Sequence, residues 1–183
     1  MKLRKLTEIM HVKGVPVYAH WSVLLIGTLV LFGALERPAE TLAAWTSYFS
    51  VILIHECGHM IAAHRKGYAV LAIELYPIIG ITRYQEPWSR YDSAVIAWGG
   101  VLAQAVVAVP LVAWVAIFGF TRFDAVNVAI GVLGYFSLIV AGFNLVPVPP
   151  LDGSRAWYLI PELIKRARTS RTKPKRVVGW RGW

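Results

Sequence analysis

Long apolar blocks separated by short polar segments dominate the chain. Val15–Leu35, Ser93–Thr121 and Ala125–Leu151 contain no Asp, Glu, Lys or Arg, and Thr41–His64 contains only Glu56. A helix needs about 20 apolar residues to cross the hydrocarbon core of a bilayer, and each block is long enough. The pattern predicts an all-α polytopic membrane protein with about four transmembrane helices. They are expected near residues 18–35, 41–64, 93–121 and 125–147.

The segment between the second and third blocks has a different pattern. Val70–Tyr84 is rich in β-branched and aromatic residues around Pro77 and Gly80, which predicts a short β-hairpin. An apolar hairpin beside a membrane must pack on protein or line a cavity, because lipid cannot satisfy its backbone groups. We therefore expect a membrane-associated hairpin between helices two and three.

The composition supports the membrane assignment. Hydrophobic residues make up 57% of the 183 residues and charged residues 16%, whereas soluble domains have roughly 45–50% and about 25%. These values exclude a disordered chain, a coiled coil and a polar nucleic-acid module. The chain has one cysteine, so it cannot form an intrachain disulfide. The first block could be a signal peptide, but fourteen residues precede it and no clear cleavage site follows it.

Basic residues are distributed unevenly between the ends of the predicted helices. The leader, the segment between helices two and three, and the tail are rich in Lys and Arg, while the other two connections have one each. The positive-inside rule then places both termini in the cytoplasm and accounts for much of the net charge of +9. We expect residues 1–153 to form the membrane core and residues 154–183 an amphipathic, basic tail that contacts anionic lipid. No nucleic-acid partner is expected.

A cluster of ionisable residues interrupts the second apolar block. His55-Glu56-Cys57-Gly58-His59 is an H-E-x-x-H motif. On a helix, residues four apart lie on one face, so His55 and His59 can share a zinc ion while Glu56 accepts a proton from water. A polar cluster joining helices is the simpler interpretation, but it does not explain the spacing.

Two histidines leave a catalytic zinc site incomplete, because three protein ligands are usual. The third ligand must lie at the same membrane depth as His59, near the cytoplasmic end of helix two. Asp152 follows helix four on that side and is the best candidate. Weaker candidates in or beside the hairpin segment are Glu74, Glu86 and Asp92. Prolines on the N-terminal side of Asp152 break the helix, and broken backbone at membrane depth is tolerated where it lines a wet cavity.

These two motifs together resemble the site-2 protease family of intramembrane zinc metalloproteases. The second motif comprises Asn144, Pro147, Pro150, Leu151, Asp152 and Gly153. The resemblance implies that His55, His59 and Asp152 bind one zinc ion and that Glu56 is the general base. It also implies that Asn144 steadies the substrate or the developing oxyanion. The chain looks like a minimal form, without the PDZ or CBS domains of many members.

The resemblance also implies the substrates and the location. Members cleave single-pass membrane proteins in regulated intramembrane proteolysis, and the hairpin would capture an unwound substrate as an added strand. A prokaryotic cell membrane is the expected location. One departure concerns Gly100-Val-Leu-Ala-Gln104, which stands where the family often has G-P-x-x-N. The role of Gln104 is therefore open.

Two other functions compete with proteolysis. Intramembrane His and Asp also mark ion pathways, so the chain could be a divalent-metal transporter. A transporter does not need Glu56 between the ligands, however, and usually has polar groups across the whole bilayer. The chain could also be a proteolytically silent, metal-stabilised membrane scaffold.

Overall fold

The computed structural model describes residues 6–171 and contains both a sheet and helices. The leader residues Lys2, Arg4 and Lys5, and residues 172–183 of the predicted basic tail, lie outside the described residues. The elements in chain order are β1 (Leu6–Val12), β2 (Val15–His20), α1 (Trp21–Gly33), α2 (Pro38–Arg65), β3 (Val70–Leu75), β4 (Gly80–Tyr84), α3 (Arg90–Phe118), α4 (Asp124–Ile130), a π-helical segment (Gly131–Phe136), α5 (Ser137–Asn144), α6 (Gly153–Ala156) and α7 (Leu159–Arg171).

The strands form one mixed sheet in the order β1-β2-β3-β4. β1 pairs with β2 and β3 with β4 in antiparallel hairpins, and β2 pairs with β3 in parallel. Lys13 and Gly14 connect the first hairpin, with φ angles of 50° and 83°. Positive φ at both central residues is what a tight two-residue hairpin loop requires. The prediction of an all-α protein is therefore wrong, because the supposed leader and the start of the first apolar block fold into a second hairpin that extends the expected one.

The prediction of about four transmembrane helices is also wrong as stated. Among the described residues, two helices are long and apolar enough to cross a membrane: α3 and the continuous helix Asp124–Asn144. β2 takes the first six residues of the first apolar block, which leaves α1 only 13 residues. At 1.5 Å per residue α1 is about 20 Å long, short of the roughly 30 Å hydrocarbon core. The 28-residue α2 is less apolar because it contains His55, Glu56 and His59.

α2 packs against both the sheet and α3. The main core cluster joins Ile52 and Met60 of α2 to buried residues of β2 and β3, namely Val17, Ile73 and Leu75. On the other side, α2 crosses α3 where two glycines meet. A Cβ added to Gly99 would lie 2.6 Å from the carbonyl oxygen of Gly58, which no real Cβ tolerates. The close crossing brings the C-terminal half of α2 against the N-terminal half of α3.

Candidate metal centre

α2 presents the two histidines of the H-E-x-x-H motif on one face. One helical turn separates His55 from His59, and their Nε2 atoms lie 3.0 Å apart. Their rings meet edge to face, with centroids 4.6 Å apart. Both side chains are buried, because this face of α2 lies against α3.

Asp152 approaches the same point from the segment that follows α5. Its Oδ2 atom lies 2.9 Å from His55 Nε2 and 3.1 Å from His59 Nε2. Two indoles anchor the chain around it: Trp157 Nε1 donates a hydrogen bond to the carbonyl oxygen of Leu145 at 2.7 Å, and Trp98 Nε1 of α3 donates to that of Ala156 at 3.0 Å. Asp152 is therefore held between two anchored points of the backbone.

The distal nitrogens of the histidines are held by α3. His55 Nδ1 lies 2.8 Å from Gln104 Oε1, and His59 Nδ1 lies 2.8 Å from the carbonyl oxygen of Ile96. Both partners are assigned as acceptors, so each Nδ1 carries a proton and each Nε2 presents a lone pair. Gln104 is itself held by Ser137, whose Oγ lies 3.3 Å from Gln104 Nε2.

The donor atoms that converge here suit a metal cation. Two Nε2 lone pairs face Asp152 Oδ2, and this buried oxygen has no hydrogen-bond partner within the described part of the chain. Three electron-rich atoms at such distances repel one another unless a cation lies among them. These three residues form a possible metal site, and two His nitrogens with one carboxylate oxygen are a ligand set found in catalytic zinc sites.

Gly100 keeps space open beside the histidine rings. A Cβ at this position of α3 would lie 2.7 Å from His59 Nε2 and 2.6 Å from His55 Cε1. Any side chain at residue 100 would therefore push against the nitrogen that faces Asp152. The glycine contributes to the site by the absence of a side chain.

Glu56 lies next to the ligands along α2 but contacts the sheet. Its side chain is 4% exposed, and Thr82 of β4 places its hydroxyl 2.7 Å from Glu56 Oε2. A Cβ added to Gly80 would lie 2.5 Å from Glu56 Oε1. The β3–β4 hairpin therefore packs directly on the carboxylate of the predicted general base.

Asn144 is less closely tied to this centre. It is the last residue of α5 and is half-buried, eight residues before Asp152. Within the described part of the chain, no hydrogen bond joins Asn144 to His55, His59 or Asp152. Its assignment to substrate or oxyanion binding stays a prediction, as do the assignments of the three ligands and Glu56.

The sequence interpretation missed two contributors, Thr82 and Gly80, and left the role of Gln104 open. Thr82 and Gly80 give no signal of their own in a short hairpin. For Gln104 a signal was available, because Ile96, Gly100 and Gln104 recur every four residues and so share one face of α3. A glutamine and a glycine at this spacing in an apolar helix indicate a face that approaches something polar.

Comparisons with known proteins agree with this geometry. No family model matches the chain. A zinc metalloprotease of Methanocaldococcus jannaschii is 22% identical over 149 residues, which span 79% of this chain and 42% of the relative. A putative zinc metalloprotease of Synechocystis is 29% identical over 116 residues, which span 57% of this chain and 27% of the relative. The chain thus spans less than half the length of either relative.

A solved structure decides the fold. The site-2 protease from Methanocaldococcus jannaschii superimposes with a TM-score of 0.68 at 20% identity, covering 91% of this chain and 73% of that one. The chain has the fold of this site-2 protease. The resemblance drawn from the two motifs is thereby confirmed, and the expectation of a zinc cofactor agrees with the names of both relatives and with the metal site. The site-2 protease fold and the two long apolar helices indicate an integral membrane protein.

Proposed function

We propose that the chain is an intramembrane zinc metalloprotease that hydrolyses a peptide bond in or near the transmembrane segment of single-pass membrane proteins. The observation that carries the proposal is the meeting of His55, His59 and Asp152 at one point beside the buried Glu56. A transporter or a scaffold would need a metal site but would not need a carboxylate beside it.

The residues of the chain have separate roles in this reaction. A zinc ion held by His55, His59 and Asp152 would polarise the scissile carbonyl and lower the pKa of a water. Glu56 removes a proton from the water as its oxygen bonds to the carbonyl carbon, and then passes that proton to the amide nitrogen as the C–N bond breaks. Burial of Glu56 keeps bulk water from competing for this proton.

The sheet offers a place for an unwound substrate. β3 is paired on both sides, but β4 is an edge strand of the sheet. An extended peptide can add to such an edge through backbone hydrogen bonds. Because Thr82 of β4 contacts Glu56, an added strand would lie beside the general base. We therefore propose that substrates bind along β4 and are cut in regulated intramembrane proteolysis.

The proposal includes an orientation in the membrane. Arg90 begins α3 and Asn144 ends the helix Asp124–Asn144, so these two ends lie on the same side if both helices cross the bilayer. Arg65, Lys66, Arg83 and Arg90 lie on that side, and the opposite connection carries only Arg122. The positive-inside rule then favours a cytoplasmic position for the metal site and for both termini, and a prokaryotic cell membrane is the proposed location.

A matched pair of carboxylate variants tests the proposal. Wild type, Glu56→Gln and Glu86→Gln are purified in detergent, and zinc per chain and cleavage of single-pass membrane proteins are measured. We expect about one zinc per chain in all three. Cleavage should be lost only in Glu56→Gln, because Glu86 is exposed and is not among the residues that form the metal site.

Other outcomes would separate the competing functions. If the wild type binds zinc but cleaves no substrate, zinc flux into liposomes distinguishes a transporter from a scaffold. If Glu56→Gln still cleaves, Glu56 is not the base. If the wild type binds no zinc, the ligand assignment is wrong.

A further inference from the structure

The hydroxyl of Thr82 makes a specific contact with the carboxylate of Glu56. Thr82 Oγ1 lies 2.7 Å from Glu56 Oε2 and 3.0 Å from the Glu56 carbonyl oxygen. A threonine hydroxyl has a single proton to donate. Of the two acceptors, the carboxylate oxygen is the closer, and hydrogen bonds to an ionised group are roughly twice as strong as neutral ones. The structure therefore favours donation to the side chain of Glu56.

The other carboxylate oxygen is confined by the backbone of the same strand. A Cβ at Gly80 would contact Glu56 Cγ and would lie 2.5 Å from Oε1. Gly80 and Thr82 are two residues apart on β4, so their Cβ directions point to the same face of the sheet. One face of β4 thus lies against both carboxylate oxygens of Glu56. The Thr82 hydroxyl contacts Oε2, and the backbone of Gly80 lies beside Oε1.

We propose that Thr82 is a positioning residue for the general base, an inference that rests on the proposed function. Glutamate has three rotatable side-chain bonds, and catalytic groups must be held within about 0.5 Å of their working geometry. The helix fixes only the backbone of Glu56. Thr82 fixes the far end of the side chain, and it does so from the strand whose free edge would bind the substrate.

The activity test compares three threonine variants. Thr82→Val removes the hydroxyl at nearly constant shape, Thr82→Ser retains it, and Thr46→Val removes an exposed hydroxyl from α2 whose partners are carbonyls of its own helix. We expect Thr82→Val to lower kcat at least tenfold with KM within about twofold and zinc content unchanged. Thr82→Ser should recover most of kcat, and Thr46→Val should leave it unchanged.

A thermal test separates this inference from the proposed function. The melting temperatures of the metal-free protein are measured for Thr82→Val in the wild-type and in the Glu56→Ala background. If Thr82 holds the carboxylate, the shift caused by Thr82→Val should be clearly smaller once the carboxylate is absent. The melting shifts are measured without any cleavage assay. A wild type that cleaves nothing would therefore refute the protease proposal, while the contact between Thr82 and Glu56 would still be tested.

Two results would overturn the inference. Equal melting shifts in both backgrounds would mean that Thr82 does not interact with the Glu56 side chain. A Thr82→Val variant that keeps its kcat, in a wild type that cleaves, would mean that the hydroxyl is not needed to place the base.

Discussion

Gln104 is the residue that links α3 to the metal site through a side chain. It is fully buried, and its Oε1 accepts the hydrogen bond from His55 Nδ1 while its amide nitrogen faces Ser137. Partners of this kind fix the tautomer and the ring of a metal-binding histidine. Asparagine, which the family often has at this position, is one methylene shorter than the Gln104 side chain that reaches His55. This provides a physical role for a position at which the chain departs from the family motif.

Loss of this hydrogen bond should weaken metal binding. We expect Gln104→Leu to reduce zinc affinity about 10- to 100-fold, the usual cost of removing such a partner. Competition with a chromophoric chelator measures the affinity. The other glutamine of the chain, the exposed Gln85, provides the control Gln85→Leu, which should bind zinc like the wild type. Equal affinities in the two variants would contradict the role of Gln104.

The close crossing of α2 and α3 determines how the two histidines lie relative to their hydrogen-bond acceptors. α2 carries His55 and His59, α3 carries the acceptors for their Nδ1 atoms, and Gly58 and Gly99 allow the two helices to approach. A Cβ at residue 99 would also lie 2.7 Å from the Cβ of Ala62. Because both obstacles belong to the body of α2, neither can move aside like the end of a long side chain.

We therefore expect Gly99→Ala to lower both stability and zinc affinity. Overpacking of this kind costs typically 1–3 kcal/mol, and it would separate His59 from the Ile96 carbonyl. The melting temperature in detergent and the zinc affinity measure the two effects. Gly142→Ala in α5 is the matched control, since a Cβ there meets nothing within 4 Å. A Gly99→Ala variant as stable as Gly142→Ala would show that the crossing can relax.

Some elements could be predicted from local sequence and others could not. The hairpin of β3 and β4 and the long apolar α3 follow from periodicity and composition, which act within each segment. β2 was missed because Val15–His20, like the helix after it, contains no Asp, Glu, Lys or Arg and was interpreted as part of one apolar block. Only pairing with β1 and β3 makes it a strand. The two-residue turn at Lys13 and Gly14 was the available signal, and it was interpreted as part of a basic leader.

At the scale of the whole molecule, the site consists of residues from segments that are distant in sequence. The meeting of His55 and His59 follows from helical spacing, and Asp152 was chosen by its expected membrane depth. The contacts of Thr82 and Gln104 could not be assigned in this way, because they depend on how the sheet and α3 pack on α2. The site is therefore only partly encoded in local patterns, and the rest follows from tertiary packing.

Metal binding should stabilise the whole molecule, because the ligands join α2 to the segment between α5 and α6. A ligand that binds only the folded state at 100 times its dissociation constant adds about 2.7 kcal/mol. We expect zinc to raise the melting temperature of the chelator-treated protein, and Asp152→Asn to lose most of that rise. Asp124→Asn, at the start of α4, is the control that should keep it. If Asp152→Asn responds to zinc as strongly as Asp124→Asn does, zinc stabilises the protein elsewhere and Asp152 is not the third ligand.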